Sequence, residues 1–106
     1  MEKSKINFEE ISFQMVALAG EAKSKALEAL MIAKDGNFKR AEKLLLEAEQ
    51  VSNEASHAHM DVVVEEANGI KHPFSALFVH AEDQMMNTQT ILLLVGEMIE
   101  LYKKVK

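Results

Sequence analysis

The stretch Asp35-Gly36-Asn37 decides the fold. Residues on both sides of it have a helical pattern. Gly36 is the residue type that ends a helix in a left-handed cap, and Asn37 is the type that starts the next one. A second stretch, Asn68-Gly69-Ile70-Lys71-His72-Pro73, has the same character. Elsewhere the apolar residues recur with a period near 3.6, and no strand-like alternation is present. Two breaks in a helical chain make three helices.

Working outward from Gly36, the upstream helix is expected over about Phe8 to Lys34. Asn7 is its candidate cap, and Glu10 stands where a capping box needs it. Its stripe is Ile11, Met15, Leu18, Ala22, Ala26, Ala29 and Ala33, much of it alanine, which permits close helix approach. The downstream helix is expected over Phe38 to Ala67, with Asn37 as cap and Leu44, Leu45, Ala48, Val51, Ala55, Ala58, Val62 and Ala67 as its stripe. The third is expected to begin at Pro73 or Phe74, where proline costs no hydrogen bond, and to end near Lys103. Its core line reads Phe74, Leu77, Ala81, Met85, Thr88, Leu92, Val95, Ile99 and Tyr102. Lys103, Lys104 and Lys106 complement the negative end of its dipole. Each helix would be roughly 40–46 Å long. Short connections make neighbours antiparallel, so the expected fold class is all-α: an antiparallel three-helix bundle of the up-down-up, spectrin-like kind, as one domain over residues 1–106.

Composition narrows the chemistry. The 106 residues include four Gly, one Pro, no Cys and no Trp. A disulfide scaffold, a thiolate zinc site and a cysteine nucleophile are excluded. The formal charge of −5 argues against a nucleic-acid partner. No apolar run exceeds five residues, the length of Ile91–Val95, far short of a membrane span. The start MEKSKINFEE lacks the apolar core of a signal peptide, so a cytoplasmic protein is expected. The glycines are too scattered for a phosphate loop. No nucleotide is expected to bind, and any phosphoryl donor would be another protein.

The third helix is apolar on a second side as well. Phe78, Val79, Met86, Ile91, Leu93, Leu94 and Met98 exceed what one bundle face needs, which points to cover by another subunit. A polar group interrupts this helix: His80, Asp83, Gln84 and Asn87 lie at offsets of zero, three, four and seven, on one face. A neutral imidazole has a free nitrogen, so His80 is a candidate nucleophile toward a phosphoryl group. From pattern alone such a residue is most often an ordinary hydrogen-bonded interface or surface histidine, and a metal ligand is the other alternative. Asp83 is either a plain surface carboxylate or, in a trimer built on this helix, one of three that would share a divalent cation. His57, His59 and His72 form no spaced metal motif. His59 is placed to face the third helix. Asp61, Glu65 and Glu66 read as solvated charge, the seven methionines as core filler, and Phe13, Phe38 and Phe74 as core or cap packing.

Several segments carry a resemblance. They are Leu77-Phe-Val-His80-Ala-Glu-Asp83-Gln-Met-Met86 with Asn87 and Thr88, Gly20-Glu-Ala-Lys-Ser-Lys-Ala-Leu-Glu-Ala-Leu30, Ala33-Lys-Asp-Gly-Asn-Phe38, Ala41, Leu45-Leu-Glu-Ala48 and Glu65-Glu-Ala-Asn-Gly69. From about Ile11 to Tyr102 the chain resembles the IIA component of the lactose/cellobiose branch of the sugar phosphotransferase system. That resemblance implies a homotrimer of three-helix bundles with His80 as the phosphorylated residue. His80 would receive the phosphoryl group from the histidine-containing phosphocarrier protein and pass it to a cysteine of a cognate IIB protein, which serves a membrane IIC transporter. It also implies that Asp83 gathers a divalent cation, expected to be Mg2+, on the trimer axis. The chain departs from the family pattern at four positions: Gln84 stands where the family has His, Glu82 where it has Gln, and Ser56 and His59 where helix two has His and Gln. Gln84 and His59 are therefore the candidates to support the phosphoryl group. A trimeric regulatory module without transfer is the alternative these departures raise. A phosphotransfer module of two-component signalling is disfavoured by three helices and an apolar surround.

Overall fold

Both glycine breaks close helices as their chemistry requires. The computed structural model describes residues 3–106. Gly36 and Gly69 adopt φ of 90° and 89°. At the first, Gly36 N–H donates to Ala33 O at 2.9 Å and Asn37 N–H to Ile32 O at 3.3 Å. At the second, Gly69 N–H donates to Glu66 O at 3.0 Å and Ile70 N–H to Glu65 O at 2.9 Å. These paired bonds satisfy carbonyls that a helix end leaves open. Asn37 has a second role: its side chain accepts the Arg40 N–H and starts the next helix.

The three helices are α1 (Phe8–Lys34), α2 (Phe38–Ala67) and α3 (Ala76–Val105). They form a rod of 60 × 20 × 16 Å. Cross-helix bonds give the directions. Ser4 meets Glu65 and Lys25 meets Glu47, so α1 and α2 run opposite ways; Ile11 and Met15 cluster with Ala81 and Met85, and Ala26 to Ala33 with Leu92 to Ile99, so α1 and α3 run the same way, with Thr88 Oγ1 donating to Ala19 O between the two clusters. Asn7 caps α1 by accepting the Glu10 N–H at 3.0 Å, but no return bond from the Glu10 carboxylate completes a box among the described residues.

The core has two parts. Alanines dominate one, where Ala26, Ala29, Ala33, Ala41 and Ala48 pack with Leu45, Leu92, Val95 and Ile99. Near the opposite end, Ile11, Met15, Ala55, Val62, Ala81 and Met85 form the other. Small side chains let α1 and α2 lie close, and their contact is the most extensive of the three, while α2 against α3 is the thinnest.

Several expectations are corrected. α3 begins at Ala76, not at Pro73 or Phe74, because Ser75 provides the cap: it is extended, and its hydroxyl accepts the Phe78 N–H at 3.1 Å. A start at Pro73 would need His72 as cap, and that ring is engaged elsewhere. Phe74 is 87 % exposed and Phe13 58 %, so neither is core, whereas Phe38 packs on the alanine-rich part. Ala67 is exposed, and Leu18 yields its core position to buried Ala19. Glu65, expected in solvent, is buried.

Candidate functional site

The site begins with the capping of α3. Ser75 aligns the first turn, and His80 follows as its fifth residue. His80, Asp83 and Asn87 are exposed on that helix, and Gln84 is half-buried beside them. At 3.6 residues per turn His80, Asp83 and Asn87 fall on the side away from buried Ala81, Met85 and Thr88, and Gln84 lies at the border between the two. The same side continues toward the C-terminus as exposed Leu94, Met98, Leu101 and Val105. Thus α3 presents a polar group and then an apolar strip along one line.

His59 does not join His80 within the chain. Its Nε2 lies 2.8 Å from Glu82 Oε2, and its ring stacks on Phe78. Phe78 and Glu82 each stand two positions from His80, about 200° round the helix. His59 therefore faces α3, as expected, but on the flank opposite the exposed imidazole. One turn along the same seam, Gln89 donates to Ser56 Oγ at 2.9 Å, so two of the residues that depart from the family pattern at helix two are used to clasp α3.

A second polar group went unread in the sequence. Glu65 accepts from Ser4 Oγ at 2.7 Å, from Lys5 N–H at 2.8 Å and pairs with His72 Nε2 at 2.9 Å. The Lys5 backbone bond, then the Ser4 hydroxyl, hold its carboxyl below the usual range; burial opposes them, and His72 adds to the lowering. The signal was the spacing of Glu65 three residues after Val62 on the core stripe. An acidic side chain there reads as solvated unless its partners are known, and two of the three, Ser4 and Lys5, are 61 and 60 residues away.

Asp83 offers one exposed carboxylate. Among the described residues no group of three or more His, Asp or Glu of this chain is arranged to hold a metal ion. A cation at Asp83 would need carboxylates from other copies. No helix of the described residues is long and apolar enough to cross a membrane.

An exposed histidine on a helical bundle, flanked by amides and without a nucleotide loop, fits a carrier that meets other proteins. The profile of the PTS system lactose/cellobiose-specific IIA subunit matches residues 10–103. The lactose-specific EIIA component of Staphylococcus epidermidis is 40 % identical over 94 residues, covering 89 % of this chain and 90 % of that protein. The crystal structure of the cellobiose-specific enzyme IIA from Bacillus anthracis superposes with a TM-score of 0.90 at 39 % identity, covering 94 % and 92 % of the two chains. A solution structure of a IIA(chitobiose)–HPr complex superposes with a TM-score of 0.83 at 28 % identity, covering 94 % and 97 %. The chain belongs to the lactose/cellobiose-specific IIA family of the sugar phosphotransferase system. Its activity is that family's phosphohistidine-mediated phosphoryl transfer, and its partners are of the HPr and IIB types.

Proposed function

We propose that His80 is the residue that carries the phosphoryl group. The observation behind this reading is its exposure on α3 in the company of Gln84 and Asn87, with a contiguous apolar strip beyond them. An imidazole nitrogen of His80 attacks phosphorus as the P–N bond to the phosphorylated HPr histidine breaks. In the next step the P–N bond to His80 breaks as a P–S bond forms to a IIB cysteine, for delivery to a sugar entering through a IIC transporter. The lone pair needs no external base. The acquired group brings about −1.5 to −2 charge at pH 7. Gln84 and Asn87 carry amide N–H donors on the same face.

The exposed strip of Leu94, Met98, Leu101 and Val105 supports a homotrimer in which three α3 helices pack along it. In such a trimer Asp83 and its two symmetry mates would hold a hard divalent cation such as Mg2+, which would neutralise carboxylates brought to one axis. His59 then has a role across a subunit boundary or none at the phosphoryl group. The transported sugar is of the class served by this branch; relatives are named for lactose, cellobiose and chitobiose.

The test is labelling with phosphoenolpyruvate, enzyme I and HPr. One acid-labile, base-stable phosphoryl group per chain is expected, absent in His80→Ala while the helical spectrum persists. Label retained in that variant ends the assignment. A stable trimer that no donor labels would instead favour the regulatory module, to which Gln84 in place of the family histidine gives some chemical basis.

A further inference from the structure

Four rings stand in a row at the end of the bundle that carries His80. The His72 ring stacks on Phe8 with centroids 4.7 Å apart and planes 19° from parallel. Phe8 meets Phe78 at 4.8 Å with a 41° tilt, and Phe78 stacks on His59 at 5.9 Å and 16°. A carboxylate closes each end of the row: Glu65 on His72 at 2.9 Å and Glu82 on His59 at 2.8 Å. The column joins the start of α1, the second half of α2, the connection before α3, and α3 itself.

The first two turns of α3 have little other anchorage. Over residues 76–83 only Ala81 is fully buried, and it offers a single methyl group. Leu77 and Phe78 are half-buried. Helix ends lack internal partners for their first N–H groups and fray. Ser75 Oγ satisfies one of these groups. Phe78 and Glu82 are four residues apart, so they share a flank and bracket His80 in the chain. Holding both fixes the rotation and height of the turn between them, from the side that leaves the His80 imidazole free.

We propose that the ring column His72–Phe8–Phe78–His59, closed by Glu65 and Glu82, positions the turn of α3 that presents His80. Its functional half rests on His80 being the phosphoryl acceptor. None of the six touches the reacting atoms in this chain; they are positioning residues. Transfer between two proteins depends on placing one nitrogen in line with a P–N bond, and small misplacements of a reacting group are costly. Paired rings suit the task because they add preferred geometry to burial.

The experiment compares wild type, Phe8→Leu and Phe8→Tyr in the full chain, by amide hydrogen exchange and by the kinetics of transfer from phosphorylated HPr. Phe8→Leu keeps apolar volume but removes both ring contacts of Phe8, to His72 and to Phe78. It should speed exchange over residues 76–83, leave protection of Leu92–Ile99 unchanged, and lower kcat by about tenfold with KM for HPr nearly constant. Phe8→Tyr restores the ring and should return both readouts to wild type. Unchanged exchange over 76–83 in Phe8→Leu overturns the proposal, as does faster exchange with an unaltered kcat. Exchange needs no phosphoryl donor, so it judges the column independently. Label persisting in His80→Ala condemns only the acceptor assignment.

Discussion

His59 on α2 reaches across to Glu82 on α3 at 2.8 Å, and so turns its ring to the flank of α3 opposite His80. His59, a candidate to support the phosphoryl group, is thereby held apart from His80 within one chain. His59 is engaged with α3, and the His80 side chain stays exposed.

Replacing His59 checks that division. Both members of the pair are partly exposed, so His59→Gln should cost only about 0.5–1 kcal/mol in urea unfolding. The final extent of labelling should equal that of wild type, because the proposed acceptor, His80, is untouched. Complete loss of label in a folded His59→Gln protein would place His59 in the chemistry instead.

Acid should loosen the N-terminal segment through Glu65. Its folded pKa lies below its ordinary value of 4.5. The unfolded carboxyl therefore takes up a proton first, and the stability it contributes is fully present above about pH 4.5 and lost as pH falls through the folded value. Glu65→Gln should flatten that acid limb in urea midpoints measured from pH 3 to 7. An unchanged slope would show that the Ser4, Lys5 and His72 bonds do not discriminate between the two protonation states.

Removal of divalent ions tests Asp83. If a cation is shared by three copies, chelation should lower the thermal midpoint of the wild-type protein, and Asp83→Ala should be insensitive to chelator. At a hundredfold excess over Kd the linkage is about 2–3 kcal/mol. Equal melting of both proteins with and without chelator would dispose of the axial ion.

Met15 is the largest fully buried side chain and lies in the core part nearest the site. Met15→Ala should destabilise by about 2–5 kcal/mol, read from denaturant midpoints at constant m. Gly36→Ala should cost about 1 kcal/mol, because φ is 90° and alanine pays the left-handed penalty there. The space beside Gly36 is open, with only the Lys106 side chain 3.9 Å away, so no clash adds to it.

Local chemistry made much of this molecule legible along the chain. The ends of α1 and α2 follow from Asn7, Asn37 and the two glycines, since capping is a contact between near neighbours. Helical periodicity likewise set His80, Asp83, Gln84 and Asn87 on one face. What needed the folded bundle was every relation between residues distant in the chain. The start of α3 shifted to Ala76 because Ser75 was free to cap and His72 was not. Glu65 became a buried partner of Ser4, Lys5 and His72 rather than surface charge. Hydrogen bonds and ring contacts act over a few ångströms in space, without regard to separation in sequence, so only packing three helices together could reveal which polar groups had found each other.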